Sequence, residues 1–346
     1  MTAMLLLTSI LIAGDPQAAG DATADGGARE QVEAQIKAHL DKLPGRAGML
    51  WSELTEDGPV VLFGQKEQER FAIGSSFKLF ILGALAGEVN ASRRRLDDTM
   101  VLDARWLGPP QSEMSDWPLG SPVTLNTLAL KMISVSDNTA TDHLLHLLGR
   151  RRVERQLPIM GHQNPEWNRP LLFTREMVMI RDKAAPEREE QYAKLDEAGR
   201  RKFLAEALAD AHDYEELDFD TRSFEVSEWF ARPLDMARAL DWLRHHTGED
   251  QPAALLRGVL AVEPKLEYDR KAWPYVGFKG GSEDRLIAGN WLLRHRSGRW
   301  YTYHLYWNSP DEDVTEKAML DAVQSIFNLV EKQITADTPQ DKASNP

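Results

Sequence analysis

Residues 71–80 read FAIGSSFKLF. Two adjacent serines and one lysine stand in an otherwise apolar run. If a helix starts after Gly74, a residue three positions on returns to nearly the same face, and one two positions on does not. Lys78 therefore faces with Ser75 and not with Ser76. A lysine near a helix N-terminus in apolar surroundings is poorly solvated and sits against the positive end of the dipole. Both effects favour the neutral amine. A neutral amine beside a hydroxyl can take its proton and make a nucleophile. A serine cap followed by a lysine reaching for water fits the same letters, so the S-x-x-K pattern needs support from elsewhere in the chain.

Two further motifs supply it. MISVSDNTATDHLL contains Ser136-Asp137-Asn138 at the start of an apolar helix, where S-D-N is also a good N-cap. Near the C-terminus, Lys279-Gly280-Gly281-Ser282 lies on an expected strand, VGFKGGS. Glycines there would let a substrate backbone approach the strand edge. Each motif has a structural explanation alone; the three in this order are harder to explain that way.

With these motifs the sequence resembles the penicillin-recognising serine hydrolases, most closely the class A β-lactamases, over about residues 30–332. FAIGSSFKLFILGAL is similar to the nucleophile helix of that family. SPVTLNTLALKMISVSDNTATDHLLHLLGR is similar to its central helices, and VGFKGGSEDRLIAGNWLL to the strand of the third motif. The resemblance implies that Ser75 is acylated and Lys78 is its proton partner. It implies that Ser136 relays a proton to the leaving nitrogen, helped by Lys279, and that Asn138 holds the side-chain amide of the substrate. Backbone N–H groups of Ser75 and Ser282 would form the oxyanion hole. The Ser282 hydroxyl and Lys279 would attract the substrate carboxylate, with Gly281 beside them in the binding edge. Gly280 stands where many relatives carry Thr or Ser.

The resemblance breaks at one place. Class A enzymes carry a glutamate in an E-x-x-L-N loop between the second and third motifs, and that carboxylate activates the deacylating water. No such motif occurs between Asn138 and Lys279. Glu176, Glu225 and Glu228 are the candidate replacements. Glu176 is expected to face solvent on a short helix capped by Thr174. Glu228 is expected just before a helix. For each a purely structural role is the stronger expectation.

Around the motifs, residues 28–43 and 313–332 read as amphipathic helices. Segments 47–54 and 59–63 read as strands joined by TEDG, and 276–281, 288–296 and 299–308 as further strands. Helices are expected at 75–88, 124–134, 137–148, 233–247 and 251–260. The fold class is α/β in the α+β, two-lobe sense. An antiparallel sheet flanked by the first and last helices packs against an all-helical lobe, β-lactamase/transpeptidase-like, with a cleft between them. The catalytic domain spans 28–333, with the sheet lobe at about 28–74 and 262–333 and the helical lobe at about 75–261. A charged insertion at 185–211 suggests one or two surface helices, and 334–346 is a polar tail.

Net charge is −13, which disfavours nucleic acid as a partner. Arginine clusters at 93–95 and 150–152 each follow an apolar run and are expected near helix ends. The chain has no cysteine, which excludes disulfides, iron–sulfur clusters and thiolate zinc sites. His143 and His146 share a helix face, but no third ligand stands out, so no metal and no cofactor are expected. Met4–Gly14 is too short to span a bilayer and suits the apolar core of a signal peptide. QAAGDA offers a cleavage site, which makes 1–22 a signal and linker and the mature chain periplasmic or secreted. A small-molecule substrate and a monomer are expected. The leading reading is a β-lactamase-type serine hydrolase serving antibiotic resistance. The alternatives are an esterase or D-alanyl-D-alanine peptidase-like acyl-transfer enzyme, or a binding protein without turnover.

Overall fold

The computed structural model describes residues 16–108, 112–206 and 218–336. Residues 1–15, which carry most of the export reading, and the tail from 337 onward lie outside the described residues.

A long helix α1 (Pro16–Leu40) leads into the hairpin β1 (Arg46–Thr55) and β2 (Gly58–Gln65). A short strand β3 (Phe71–Ala72) and a 3₁₀ turn (Gly74–Phe77) deliver the chain into α2 (Lys78–Asn90). Then come β4 (Thr99–Val101), β5 (Pro122–Thr124), α3 (Leu125–Ser134), α4 (Asn138–Leu148), α5 (Arg150–Ile159) and α6 (Thr174–Ile180). The charged insertion holds α7 (Glu187–Ala193) and α8 (Glu197–Glu206); its residues 207–211 are not described. The chain closes with β6 (Phe230–Ala231), α9 (Pro233–His246), α10 (Leu255–Leu260), β7 (Tyr275–Glu283), β8 (Leu286–Arg294), β9 (Trp300–Asn308) and α11 (Glu316–Ala336).

The main sheet is antiparallel with strand order β2-β1-β9-β8-β7. The chain's two ends thus build one sheet. Its outer face packs on α1 and α11 because α11 repeats Met319, Val323, Ile326, Phe327 and Val330 on one stripe. Aromatic residues fill that layer, with Trp51 and Trp291 each about one ring-contact distance from Tyr303, at 5.0 and 5.1 Å between centroids. The inner face meets the helical lobe, which is organised around α2. That helix is apolar nearly all round and is buried nearly all round, as its sequence requires.

Two consequences position the site. β7 is an edge strand, so its free edge lies against the turn that begins α2. The helix boundaries also depart from expectation. Arg93–Arg95 follow the end of α2 and Arg150–Arg152 the end of α4, as expected, but the second cluster also opens α5, against that helix's dipole. There Arg150 pairs with Glu176 and Arg152 with Glu88, so tertiary ion pairs hold what the helix end disfavours.

Candidate active site

The turn at Gly74–Phe77 decides which serine is available. Ile73 donates its N–H to the Trp229 carbonyl at 2.9 Å, and Gly74 then takes φ +48°. A Cβ on Gly74 would also lie 3.2 Å from the Ser282 nitrogen, so the position calls for glycine twice over. In a 3₁₀ turn, residues three apart eclipse one another, which aligns Ser75 with Lys78. Ser76 is fully buried, and its Oγ accepts a hydrogen bond from Asn290 at 2.9 Å. Asn290 in turn donates to the Lys279 carbonyl. Ser76 therefore pins the turn to the sheet, while Ser75 stays partly exposed.

Lys78 is fully buried at the first position of α2. Its Nζ donates to the Ser136 carbonyl at 2.6 Å, to Asn138 Oδ1 at 2.8 Å and to Ser136 Oγ at 3.1 Å. Burial pulls its pKa down to about 7; the charges of Asp137 and Asp142 oppose the fall. Lys279, on β7, donates to the same Ser136 Oγ at 2.9 Å and to the Gly280 carbonyl at 2.8 Å. Its pKa also falls well below the usual lysine value, through burial first and the neighbouring Lys78 charge second.

Ser136 sits between α3 and α4 with φ +59°, a conformation non-glycine residues adopt sparingly. Asp137 holds it there. Its carboxylate caps α4 through the Ala140 N–H at 2.8 Å and also accepts from Ser112 Oγ and the Met114 N–H. The middle residue of S-D-N is thus a scaffold, and the flanking Ser136 and Asn138 face the lysines.

The glycines of the third motif work differently from expectation. A Cβ on Gly281 would stand 2.3 Å from the Ile73 carbonyl oxygen and 2.4 Å from the Ser75 nitrogen. The close approach they permit at this point is by the protein's own nucleophile turn. Gly280 is crowded by the Phe278 ring and the Ala288 carbonyl. Ser282 is exposed on β7, with its backbone nitrogen beside Gly74.

The candidate deacylating acids are dispersed. Glu176 does not face solvent: it is buried, pairs with Arg150 at 2.5 Å and accepts the Phe173 N–H at 2.9 Å. Phe173, not Thr174, occupies the cap position of α6, because the glutamate reaches back to the helix start as a capping group. Glu228 precedes the short strand β6 rather than a helix, and is buried against Arg181 at 2.9 Å. Glu225 is exposed and makes no hydrogen bond to another described residue; the nearby charge it presents is felt by Arg70. His143 and His146 do not converge. His143 uses both ring nitrogens, on the Thr139 carbonyl and the Asp103 N–H, and His146 stacks on Trp106.

Asp142 was not singled out from the sequence. It lies one helical turn beyond Asn138 in NTATD, on the same face of α4. That spacing was the available signal. Its carboxylate accepts the N–H groups of Thr174 and Arg175 at 2.8 and 3.0 Å, tying α6 to α4. Burial raises its pKa to about 7 against those two hydrogen bonds.

A partly exposed serine, a buried lysine and a second serine held between two lysines thus lie together at the edge of the antiparallel sheet, the arrangement of a serine-enzyme site. A family model described as the beta-lactamase enzyme family matches residues 31–213, more than half of the chain, and the protein belongs to that family. Solved structures agree in fold. The beta-lactamase from Sphaerobacter thermophilus is 18% identical, with 89% of this chain and 98% of that one covered at a TM-score of 0.62. A beta-lactamase from Chitinophaga pinensis is 16% identical, covering 88% and 99% at 0.62. A substituted form of PBP-A, solved as an acyl-enzyme complex with penicillin G, is 14% identical, covering 89% and 97% at 0.59.

Proposed function

We propose that the protein is a β-lactamase of class A type that opens β-lactam amides through a Ser75 ester and releases the product slowly. The observation that carries the reading is that Lys78, one 3₁₀ turn from Ser75, and Lys279 both donate to Ser136 Oγ. Neutral Lys78 takes the Ser75 Oγ proton as Oγ attacks the lactam carbonyl carbon. The backbone N–H groups of Ser75 and Ser282 receive the developing oxyanion. Ser136 gives its hydroxyl proton to the leaving nitrogen as the C–N bond breaks, and the protonated Lys78 restores it. Lys279 holds Ser136 in place and attracts the substrate carboxylate. Asn138 orients the substrate amide.

Hydrolysis of the ester then needs a base for water. Glu176 and Glu228 are committed to Arg150 and Arg181, and Glu225 lies in the open. The same fact favours the second reading, an esterase or D-alanyl-D-alanine peptidase-like acyl-transfer enzyme, which needs no such glutamate. Met4–Gly14 supports export, and a periplasmic or secreted monomer acting in antibiotic resistance is the role we assign. Among the described residues no helix is long and apolar enough to cross a membrane.

Stopped-flow kinetics with a chromogenic cephalosporin, beside a simple ester and a D-alanyl-D-alanine peptide, tests the choice. The β-lactamase reading predicts a burst of ring opening followed by slower steady turnover. Turnover of the ester or peptide with a stoichiometric cephalosporin burst and no steady phase would favour the second reading. Cell fractionation with N-terminal sequencing tests export; a full-length cytoplasmic product would remove it.

A further inference from the structure

Side chains two apart on a strand share a face, so Lys279, Gly281 and Glu283 point the same way from β7. Lys279 reaches Ser136, and Gly281 makes room for the Ser75 backbone. The third, Glu283, follows Ser282 directly and accepts from Arg181 Nη1 at 2.5 Å. The Arg181 side chain is fully buried. Its Nη2 also donates to Glu228 Oε2 at 2.9 Å and to the Ser227 carbonyl at 2.8 Å, and its Nε to Ser227 Oγ at 2.9 Å. Glu228 accepts the Trp229 N–H at 2.9 Å. The Trp229 ring lies flat on Phe77 at 3.8 Å, and its carbonyl receives the Ile73 N–H.

One guanidinium thus joins two segments that flank the Gly74–Ser75 turn. On one side is the strand end carrying Ser282; on the other is the segment that holds Ile73 and Phe77. Arg181 also stands at the neck of the insertion, where Asp220 donates to its carbonyl and Asp182 bridges Phe219.

We propose that Arg181, acting through Glu283 and Glu228, is a positioning residue for the oxyanion hole, setting the separation of the Ser75 and Ser282 N–H groups. The inference rests on the acyl-enzyme reading above. Burial of a guanidinium is costly unless its donors are all met with good geometry, and here the partners it meets are the two sides of the site. Each carboxylate has its own guanidinium nitrogen, Glu283 on Nη1 and Glu228 on Nη2; burial first, and Glu228 beside it, shift Glu283 well above the usual carboxylate range against the pull of Arg181.

The test uses the full-length protein and the variants Arg181→Lys and Glu283→Gln. Glu283→Gln keeps the shape but replaces the carboxylate by a weaker, neutral acceptor, loosening its tie to Arg181, so it serves if Arg181→Lys fails to fold. Penicillin G is the probe. The readouts are the acylation rate constant, the initial binding constant, and the carbonyl stretch of the ester by isotope-edited infrared difference spectroscopy. A misplaced donor should slow acylation by about tenfold or more, below the 10²–10³-fold of losing a donor outright. Initial binding should change little, and the ester carbonyl should shift to higher frequency as its hydrogen bonds weaken. A carbonyl band and acylation rate like those of the unsubstituted protein in the folded variants, with only the melting temperature lowered, would overturn the positioning role. No adduct on the unsubstituted protein would instead remove the acyl-enzyme reading, and this inference with it.

Discussion

Lys78 and Lys279 aim their side-chain nitrogens at a single acceptor, Ser136 Oγ, at 3.1 and 2.9 Å. Two ammonium ions cannot share that space cheaply, since like charges disfavour each other's charged form. Both lysines are also buried, which acts in the same direction. In the proposed mechanism one of the two amines is therefore neutral and exchanges a proton with the Ser136 hydroxyl, and several consequences can be measured.

Replacing Lys78 by alanine removes the group that the proposed mechanism uses to take the Ser75 proton. Acylation by penicillin should slow by about 10²–10⁴-fold, the usual worth of a positioned general base. Ser136→Ala should slow it as well, because the leaving nitrogen loses its donor. An unchanged acylation rate in Lys78→Ala would take the lysine out of the mechanism.

The pH dependence has a defined sign. Burial brings the Lys78 pKa down to about 7, and the proposed mechanism uses its neutral amine. Acylation should therefore rise with pH and level off above about 7; one unit below, only about a tenth of the amine is neutral. Single-turnover rates between pH 5 and 9 give the curve. A rate that falls across neutrality would mean that the charged lysine is the active form.

Gly281→Ala would place a Cβ about 2.4 Å from the Ser75 nitrogen. Backbone on both sides leaves little to yield, so overpacking should cost about 1–3 kcal/mol of stability. The displaced turn should lose acylation more severely than binding. Chemical denaturation and acylation kinetics on the same sample check both, and normal acylation would contradict the packing assigned to this glycine.

Glu176 and Glu225 should each tolerate Gln without a large change in deacylation, because one is tied to an arginine and the other lies exposed; Glu228→Gln should slow deacylation by about tenfold, as expected of a displaced oxyanion-hole donor, and not by the hundredfold or more of a lost base. A slowing of about a hundredfold in one variant, the scale of a lost general base, would identify that residue as the base for water. Glu176→Ala should also lower the melting temperature, since it strands Arg150 and the start of α6.

Much of the site was legible because local periodicity carries it. The three-residue spacing separates Ser75 from Ser76, and short segments punctuated by turn residues, with large and polar residues alternating in Trp300–Trp307, mark β7, β8 and β9. What was not legible depended on distant partners. Nothing near Glu176 in sequence foretells Arg150, so a charged residue on a short helix read as solvent-facing. Likewise α5, with arginines at its first positions and Pro158 inside, contradicts helix-end electrostatics and persists through ion pairs to Glu88 and Glu176. Gly281 read as a gap for substrate because the turn that fills it lies in a different part of the chain. Arg181 sat unnoticed among charged residues because burial, which gives it meaning, is a property of the folded chain.

The most direct test of the account is intact-mass spectrometry after brief mixing with penicillin G. An adduct of one whole penicillin is expected on the unsubstituted protein and on Ser76→Ala, and none on Ser75→Ala, with the adduct persisting long enough to be seen before hydrolysis. Labelling that survives Ser75→Ala, or that is lost only in a folded Ser76→Ala, would contradict it.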